Sequence, residues 1–235
     1  EMLWSLKRLD KAHVERRMVT SGLDAVRGQL AEGRAVLAFT LHLGNWEFAG
    51  SAMSILLGGL SAVAKPTSNP LLERLLERHR QRVGIRALST AEGIRPVVAA
   101  IKEGRLVAIL MDQHVRTACT AANFFGREAA TTTVPAALAL KFHLPVFLAY
   151  SFREGENFRH RCVLVPVDLI RTGDYEADVR TNTQLFNDKL EQVIRQHPEQ
   201  WLWPYRRWRT ADKREEREKL EKENDGEKKK LEKFE

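Results

Sequence analysis

The residues best suited to chemistry in this chain of 235 residues lie in the hexapeptide HLGNWE, which begins with His42 and ends with Glu47. The apolar run at 35–40 predicts a buried strand that passes through a tight turn into a helix. A helix N-terminus disfavours a charged imidazolium, and a neutral imidazole can accept a proton as a general base. Glu47 would fix the ring tautomer if it bonded one ring nitrogen. Alternatively, His42 is a polar cap and Glu47 only complements the helix dipole.

A second carboxylate is predicted at the same place in the fold. The tripeptide Glu-Gly-Arg at 32–34 recurs at 103–105, and each copy precedes an apolar run that is typical of a strand in a helix-covered parallel sheet. Two parallel strand–helix units would bring His42 and Asp112 to one sheet edge, where open α/β folds bind ligands. Asp112, with Gln113 and His114, could assist the base, hold an arginine or join His42 at a metal. No further ligand pattern supports a metal site, and we expect none.

Three arginines could bind an anionic group. Arg80 and Arg82 end a helix predicted from Asn69-Pro70 to about 83, and paired guanidinium hydrogen bonds could clamp a phosphate. In the alternative interpretation, the leucines of this helix face the core and its arginines face solvent. Arg95 lies near a predicted helix N-terminus, where the dipole disfavours a cation, so a ligand could explain it.

Two aromatic clusters could contact lipid. Phe124 and Phe125 lie in a predicted long loop at 112–131, and could line an acyl channel, contact a membrane or pin the loop to the core. Trp201, Trp203 and Trp208 alternate with arginines, a pattern that fits a lipid interface or a nucleic-acid surface.

Composition restricts the class of protein. The formal net charge of +7 favours anionic partners or simply solubility. Cys119 and Cys162 lack metal-ligand spacing and predict neither a disulfide scaffold nor a zinc site. No apolar run reaches the roughly 18 residues of a membrane span. Because the chain begins at Glu1, we expect that an upstream anchor could have been removed.

The remaining pattern predicts an α/β fold with a central, mostly parallel or mixed sheet flanked by helices in a single domain. We expect helices in the first thirty residues, strands near 61–65 and 85–88, and a strand pair at 145–152 and 158–167. Further helices are predicted at 45–57, 69–83, 91–102, 134–142 and 175–196. The domain is expected to cover 1–210, followed by a charged helical or disordered tail at 211–235.

Several of these motifs together resemble a known family. The hexapeptide is similar to the His-x4-Asp/Glu block of lysophospholipid-type acyltransferases, in the form found in bacterial lipid A biosynthesis (lauroyl/myristoyl) acyltransferases and mycobacterial phosphatidylinositol mannoside acyltransferases. The further matching segments, in the family's order, are Asn69-Pro70-Leu71, Arg80-x-Arg82-x-Gly84, Gly93-Ile94-Arg95, Asp112-Gln113, Phe124-Phe125-Gly126 and Trp203-x-x-Arg206-Arg207-Trp208.

The resemblance implies acyl transfer from acyl carrier protein or coenzyme A to a hydroxyl of a membrane glycolipid, preferably a lipid A precursor. A phosphatidylinositol mannoside or another lysolipid is the alternative acceptor. His42 would be the base and Glu47 or Asp112 would orient it. Arg80, Arg82, Arg95, Asn45, Phe124 and Phe125 are the expected substrate-binding residues. No cofactor is expected, and an anionic membrane at the cytoplasmic face of the bacterial inner membrane is the expected setting. The departures are Glu at the acidic position, His114 after Asp112-Gln113, and the tail.

Two other classes of function remain open at this stage. A basic, aromatic nucleic-acid-binding module would bind oligonucleotides in a salt-dependent way and would not depend on His42. A catalytically inactive lipid-binding scaffold would bind lipid without turnover.

Overall fold

The computed structural model describes residues 9–64, 67–155, 158–204 and 206–215. Helices and strands alternate through most of this part of the chain. The helices are α1 (Lys11–Arg17), α2 (Leu23–Ala31), α3 (Trp46–Leu57), α4 (Pro70–Arg82), α5 (Arg95–Lys102), α6 (Val134–Lys141) and α7 (Tyr175–Gln196). The strands are β1 (Met18–Ser21), β2 (Val36–Thr40), β3 (Leu60–Ala64), β4 (Ile85–Ser89), β5 (Leu106–Leu110), β6 (Cys119–Phe124), β7 (Arg127–Thr132), β8 (Val146–Glu154) and β9 (Arg159–Val167).

Seven strands form one sheet in the order β1-β9-β8-β2-β5-β3-β4. The five strands from β8 to β4 run parallel, while β9 is antiparallel to β8 and parallel to β1. The two central strands β2 and β5 pair in register, with Thr40 opposite Leu110. The residues that follow these two strands therefore emerge side by side at one edge of the sheet, and the predicted single α/β domain with a mostly parallel sheet is confirmed.

Side chains of β2 alternate between two separate hydrophobic clusters. Leu37 and Phe39 pack with α6 and α7 on one face, whereas Val36 and Ala38 pack with α2 and α3 on the other. This alternation follows from the two-residue period of a strand, and it explains why β2 is apolar throughout. The central strands are therefore covered by helices on both faces.

Three local predictions were wrong. The segment predicted as a long loop at 112–131 contains most of the β6–β7 hairpin, closed by Phe125 and Gly126, both at positive φ. Such a two-residue turn is a hairpin signal, but the small residues of these strands masked it. The short strand β1 lies in the region predicted to be helical. Gly93, at φ +67°, separates the predicted helix at 91–102 into a short 3₁₀ turn and α5.

Parts of some predictions lie outside the described residues. These are positions 1–8 of the region predicted to be helical, Lys65 at the end of the strand predicted near 61–65, two residues of the predicted hairpin turn (Glu156 and Asn157), and positions 216–235 of the tail. A helix at 209–215 includes the described start of the tail, at 211–215.

Gly44 tightens the turn between β2 and α3 where it packs against β8. Its φ is +54°, and a Cβ atom placed there would lie 2.7 Å from the backbone oxygen of Ser151. This turn therefore needs glycine both for its conformation and for the close approach of two backbones.

We expect Gly44→Ala to destabilise the protein by about 2–4 kcal/mol, because positive φ and a backbone clash both oppose the added methyl group. Thermal unfolding measures the effect. Gly33→Ala is the matched control, because its φ of +73° imposes similar strain with no heavy atom within 4 Å of the new Cβ. Equal losses of Tm in the two variants would contradict the predicted clash.

Candidate active site

The turn that carries His42 is held by the chain segment that follows α7. The backbone oxygen of His42 accepts a hydrogen bond from the Leu202 amide at 3.0 Å. The Gly44 amide donates to the backbone oxygen of Gln200 at 2.9 Å. These two bonds fix the backbone on both sides of Leu43, so the position of the imidazole depends on residues near the end of the domain.

Asp112 holds both the backbone and the ring of His42. Its Oδ2 accepts from the His42 amide at 2.8 Å, and its Oδ1 lies 2.7 Å from Nδ1 of the imidazole. Trp201 donates its indole N–H to Oδ2 at 2.9 Å. Asp112 is 1% exposed and His42 is 7% exposed. A carboxylate only accepts hydrogen bonds, so Nδ1 carries a proton, and in the neutral ring Nε2 keeps its lone pair.

The Asp112 carboxyl is ionised in this arrangement. Burial raises its pKa, but the ring and backbone hydrogen bonds of His42 and its electrostatic attraction, together with the indole N–H of Trp201, outweigh burial and leave the pKa below its ordinary value. An ionised Asp112 can orient the imidazole and stabilise the imidazolium that forms when Nε2 accepts a proton.

A buried arginine lies behind this pair. Arg207 is fully buried and donates to the backbone oxygen of Ala130 at 2.7 Å and to Oγ1 of Thr131 at 2.6 Å. Burial lowers the pKa of Arg207 and the charge of Asp112 raises it. Burial has the larger effect, and the resulting pKa is about 10. At neutral pH Arg207 therefore stays cationic and favours the ionised form of Asp112.

Glu47 faces another partner. Its Oε1 accepts from a terminal guanidinium nitrogen of Arg80 at 2.7 Å, and both side chains are largely buried. One turn further along α3, Ser51 Oγ lies 2.8 Å from Nε2 of His79. Ser51 donates its proton to the Glu47 backbone oxygen, so the hydroxyl accepts from His79. Two polar links thus join α3 to α4.

An apolar groove lies between α3 and the sheet. Its empty volume is about 870 Å³, part of which is open to solvent. Thr40 and Leu41 line it before His42, and Trp46 and Glu47 line it after His42. The Trp46 ring packs edge-on against the imidazole with ring centroids 5.0 Å apart. The groove therefore ends beside the candidate base.

Alanine side chains make the floor of this groove. Ala87, Ala62, Ala108 and Ala38 are paired neighbours on four adjacent strands, and all four line the groove. The positions two residues before Ala87, Ala62 and Ala108, toward the amino ends of the strands, carry the bulkier side chains of Ile85, Leu60 and Leu106. The floor is therefore deepest at the alanine row and rises away from the edge that carries His42.

The other predicted substrate-binding residues have different surroundings. Asn45 caps α3 by accepting from the Phe48 amide at 3.0 Å. Arg82 and Arg95 are exposed, and Arg95 begins α5. Phe124 and Phe125 pack with the aromatic cluster on the opposite face of the sheet from the groove. Of the predicted binding residues, Arg80 is the one that lines the groove.

Of two further residues beside the base, Trp201 was missed as a site residue, whereas Gln113 was named with Asp112 as possible help to the base. Trp201 was predicted at a lipid or nucleic-acid surface, but it is 4% exposed and bonded to Asp112. Gln113 lies 3.1 Å from Nε2 of His42 through its side-chain nitrogen. The adjacency of Gln113 to Asp112 was an available signal, whereas the contact of Trp201 depends on the tertiary fold.

Neither a metal centre nor a membrane span is found in the part of the chain that the structure describes. No group of three or more His, Cys, Asp or Glu side chains could hold a metal ion there. His114 is instead 2.8 Å from the Thr210 hydroxyl. No described helix is both long enough and apolar enough to cross a bilayer.

Comparison with known proteins identifies similar sequences. A family model described as bacterial lipid A biosynthesis acyltransferase matches residues 2–210. A lipid A biosynthesis palmitoleoyltransferase of Escherichia coli is 27% identical over 191 residues, covering 80% of this chain and 60% of that protein. A lipid A biosynthesis lauroyltransferase of the same organism is 24% identical over 191 residues, covering 80% and 61%.

A phosphatidylinositol mannoside acyltransferase of Mycobacterium tuberculosis is 27% identical over 197 residues, covering 81% of this chain and 60% of that protein. The chain thus spans about three fifths of the length of these curated relatives. The two named acceptor classes occur among relatives of equal identity.

We expect Trp201→Phe to raise the pKa of Asp112, because the carboxylate loses one hydrogen-bond donor. The lowered pKa of Asp112 stabilises the fold above the unfolded-state pKa, and this stabilisation is lost as pH falls through the folded-state value. The variant should therefore begin to unfold at a higher pH during acid titration, as followed by far-UV circular dichroism, and NMR of the Asp112 carboxyl should report the shift directly.

Trp203→Phe is the matched control for this titration, because Trp203 donates its indole N–H to the Pro198 oxygen and is 51% exposed. An Asp112 carboxyl that titrates at the same pH in wild type and in Trp201→Phe would refute the electrostatic role of the indole.

Proposed function

The chain belongs to the family of bacterial lipid A biosynthesis acyltransferases, and from this premise we propose that it transfers a fatty acyl group from a thioester to a hydroxyl of a membrane glycolipid. The observation that carries the proposal is the buried His42–Asp112 pair at the end of an apolar groove. A base for the hydroxyl and a groove suited to an alkyl chain are the two parts that this reaction requires.

In the proposed reaction, Nε2 of His42 removes the hydroxyl proton as the acceptor oxygen attacks the thioester carbonyl carbon. Asp112 stabilises the imidazolium through Nδ1–H. The tetrahedral intermediate then collapses, the carbon–sulfur bond breaks, and the leaving thiolate takes the proton from the imidazolium. The roles of these groups are those of a Ser-His-Asp triad, with the substrate hydroxyl in place of the serine. No cofactor takes part, because the thioester is already activated.

We assign the two carboxylates different tasks. Asp112 contacts the imidazole, whereas Glu47 accepts a hydrogen bond from Arg80 at the wall of the groove. A guanidinium has five N–H donors, so Arg80 can hold Glu47 and still donate to an acceptor phosphate. Arg82 and Arg95 remain candidates for further anionic contacts, although both are exposed.

The acceptor is a lipid A precursor in our leading proposal and a phosphatidylinositol mannoside in the alternative, since relatives bear both names. The donor is acyl carrier protein or coenzyme A. The formal net charge of +7 favours these acidic donors and an anionic membrane at the cytoplasmic face of the inner membrane. Leu71, 74% exposed, and Leu75 share the solvent side of α4 with Arg74 and Arg78, which suits such an interface.

The structure gives less support to a nucleic-acid-binding module. Trp201 and Arg207, which belong to the basic aromatic segment that suggested it, are both buried. Stacking on bases needs aromatic rings that face solvent. An inactive lipid-binding scaffold is distinguished from the enzyme by the turnover measurement that follows.

We expect His42→Ala and Asp112→Asn each to reduce acyl transfer by at least about 100-fold, since each removes part of a positioned base. The assay follows thiol release from a long-chain acyl thioester and detects the acylated glycolipid by mass spectrometry. His143→Asn, a change at an exposed histidine before β8, is the control. Full activity in His42→Ala would exclude the mechanism, and lipid binding without turnover in wild type would favour the scaffold.

Ala108→Leu should shift donor preference toward shorter chains, by roughly the three carbon atoms that leucine adds to the groove floor. The measurement is competition among saturated acyl thioesters of graded length, with products resolved by mass. Ala99→Leu, on the exposed side of α5, is the matched control. A uniform loss of rate at every chain length would mean that the alkyl chain lies elsewhere.

A further inference from the structure

Gln113 contacts Nε2 of His42, the ring nitrogen that accepts the proton in the proposed reaction. Its side-chain nitrogen lies 3.1 Å from Nε2 of the imidazole. An amide nitrogen can only donate, so at this distance Nε2 of His42 is the acceptor and carries no hydrogen, while Nδ1 donates to Asp112. The Gln113 amide therefore donates an N–H to the lone pair that would receive the acceptor proton.

This contact excludes any other donor to the same lone pair. A ring nitrogen has one lone pair in the ring plane, so it cannot accept a strong hydrogen bond from the Gln113 amide and from a hydroxyl at once. An acceptor hydroxyl must therefore displace the amide before His42 can take its proton. A water molecule must do the same.

The main chain of Gln113 is fixed, which leaves its side chain as the part that can move. Asp112, the preceding residue, is tied to His42 and Trp201. The Gln113 backbone oxygen lies 3.5 Å from a terminal nitrogen of the buried Arg207, which donates to it. The Gln113 residue itself is half-buried, so part of it is open to solvent.

We propose that the Gln113 amide is a displaceable cap on the catalytic base, which suppresses hydrolysis of the thioester until the acceptor hydroxyl replaces it. The proposal rests on the acyl transfer proposed above. In the suppressed side reaction, His42 Nε2 takes a proton from water, and the water oxygen bonds to the thioester carbon. The carbon–sulfur bond then breaks, and the thiolate takes the proton back, which yields a free fatty acid and a thiol.

Gln113→Met is the sharpest test, because methionine keeps the length of the side chain and removes the amide. Without acceptor lipid, the variant should hydrolyse a long-chain acyl thioester roughly three- to tenfold faster than wild type, in line with the loss of one neutral hydrogen bond. With saturating acceptor lipid, whose binding already displaces the amide in wild type, transfer should change less than hydrolysis, so the ratio of transfer to hydrolysis should fall. Gln81→Met, on the exposed side of α4, is the matched control. Hydrolysis equal to or below that of wild type would overturn the proposal.

A second readout does not require acyl transfer. Diethyl pyrocarbonate reacts with unprotonated imidazole nitrogen, so carbethoxylation of His42, measured by peptide mass spectrometry on the folded protein, should be faster in Gln113→Met. Gln113→Glu should slow this carbethoxylation. A carboxylate at this position would accept a hydrogen bond from protonated Nε2 and would therefore favour the protonated ring, which does not react. A merely structural role of Gln113 would not move the two variants in opposite directions.

The two readouts separate the possible failures. If no thioester is turned over by any variant but His42 labelling changes as stated, the proposed function is wrong, although the Gln113 amide does cover Nε2 of His42. If turnover is normal and His42 labelling is the same in wild type, Gln113→Met and Gln113→Glu, the cap is wrong and the proposed function is unaffected.

Discussion

The burial of the Asp112 carboxylate is the constraint on which the rest of the site depends. An ion with 1% exposure is stable only if the fold replaces the water that it has lost. His42 supplies two donors from 70 residues earlier, and Trp201 supplies one from 89 residues later. Arg207 adds a positive charge behind the carboxylate. The ends of two central strands and the segment after the last long helix must therefore meet at one point.

The two faces of the sheet differ in how tightly their side chains pack. On one face, Phe124, Trp201 and Trp208 pack closely and leave the Asp112 side of the site rigid. On the other, alanines on four strands leave space under α3. The proposed base needs fixed neighbours, whereas the proposed alkyl chain needs room that no side chain fills. Because strand side chains alternate, residues one apart in β2 serve both needs.

Sequence patterns could predict the parts of this fold that depend on local periodicity. The repeated Glu-Gly-Arg before two apolar runs placed β2 and β5 in parallel, and from that pairing it followed that His42 and Asp112 lie at one edge. The β6–β7 hairpin was missed because its strands are rich in alanine and threonine. The sequence could not show that Asp112 contacts the imidazole and Glu47 contacts Arg80. Both carboxylates lie at the same edge of the sheet, and only side-chain packing decides which of them contacts the imidazole.

The dependence of the His42 turn on Leu202 and Gln200 also bears on how the protein is made. Chains leave the ribosome amino terminus first, and the segment that holds this turn is among the last of the domain to emerge. A nascent chain that has already formed β2 and β5 still lacks the indole donor and both backbone clamps. Incomplete translation products that end before position 200 should therefore carry the whole histidine motif without the contacts that hold it in place.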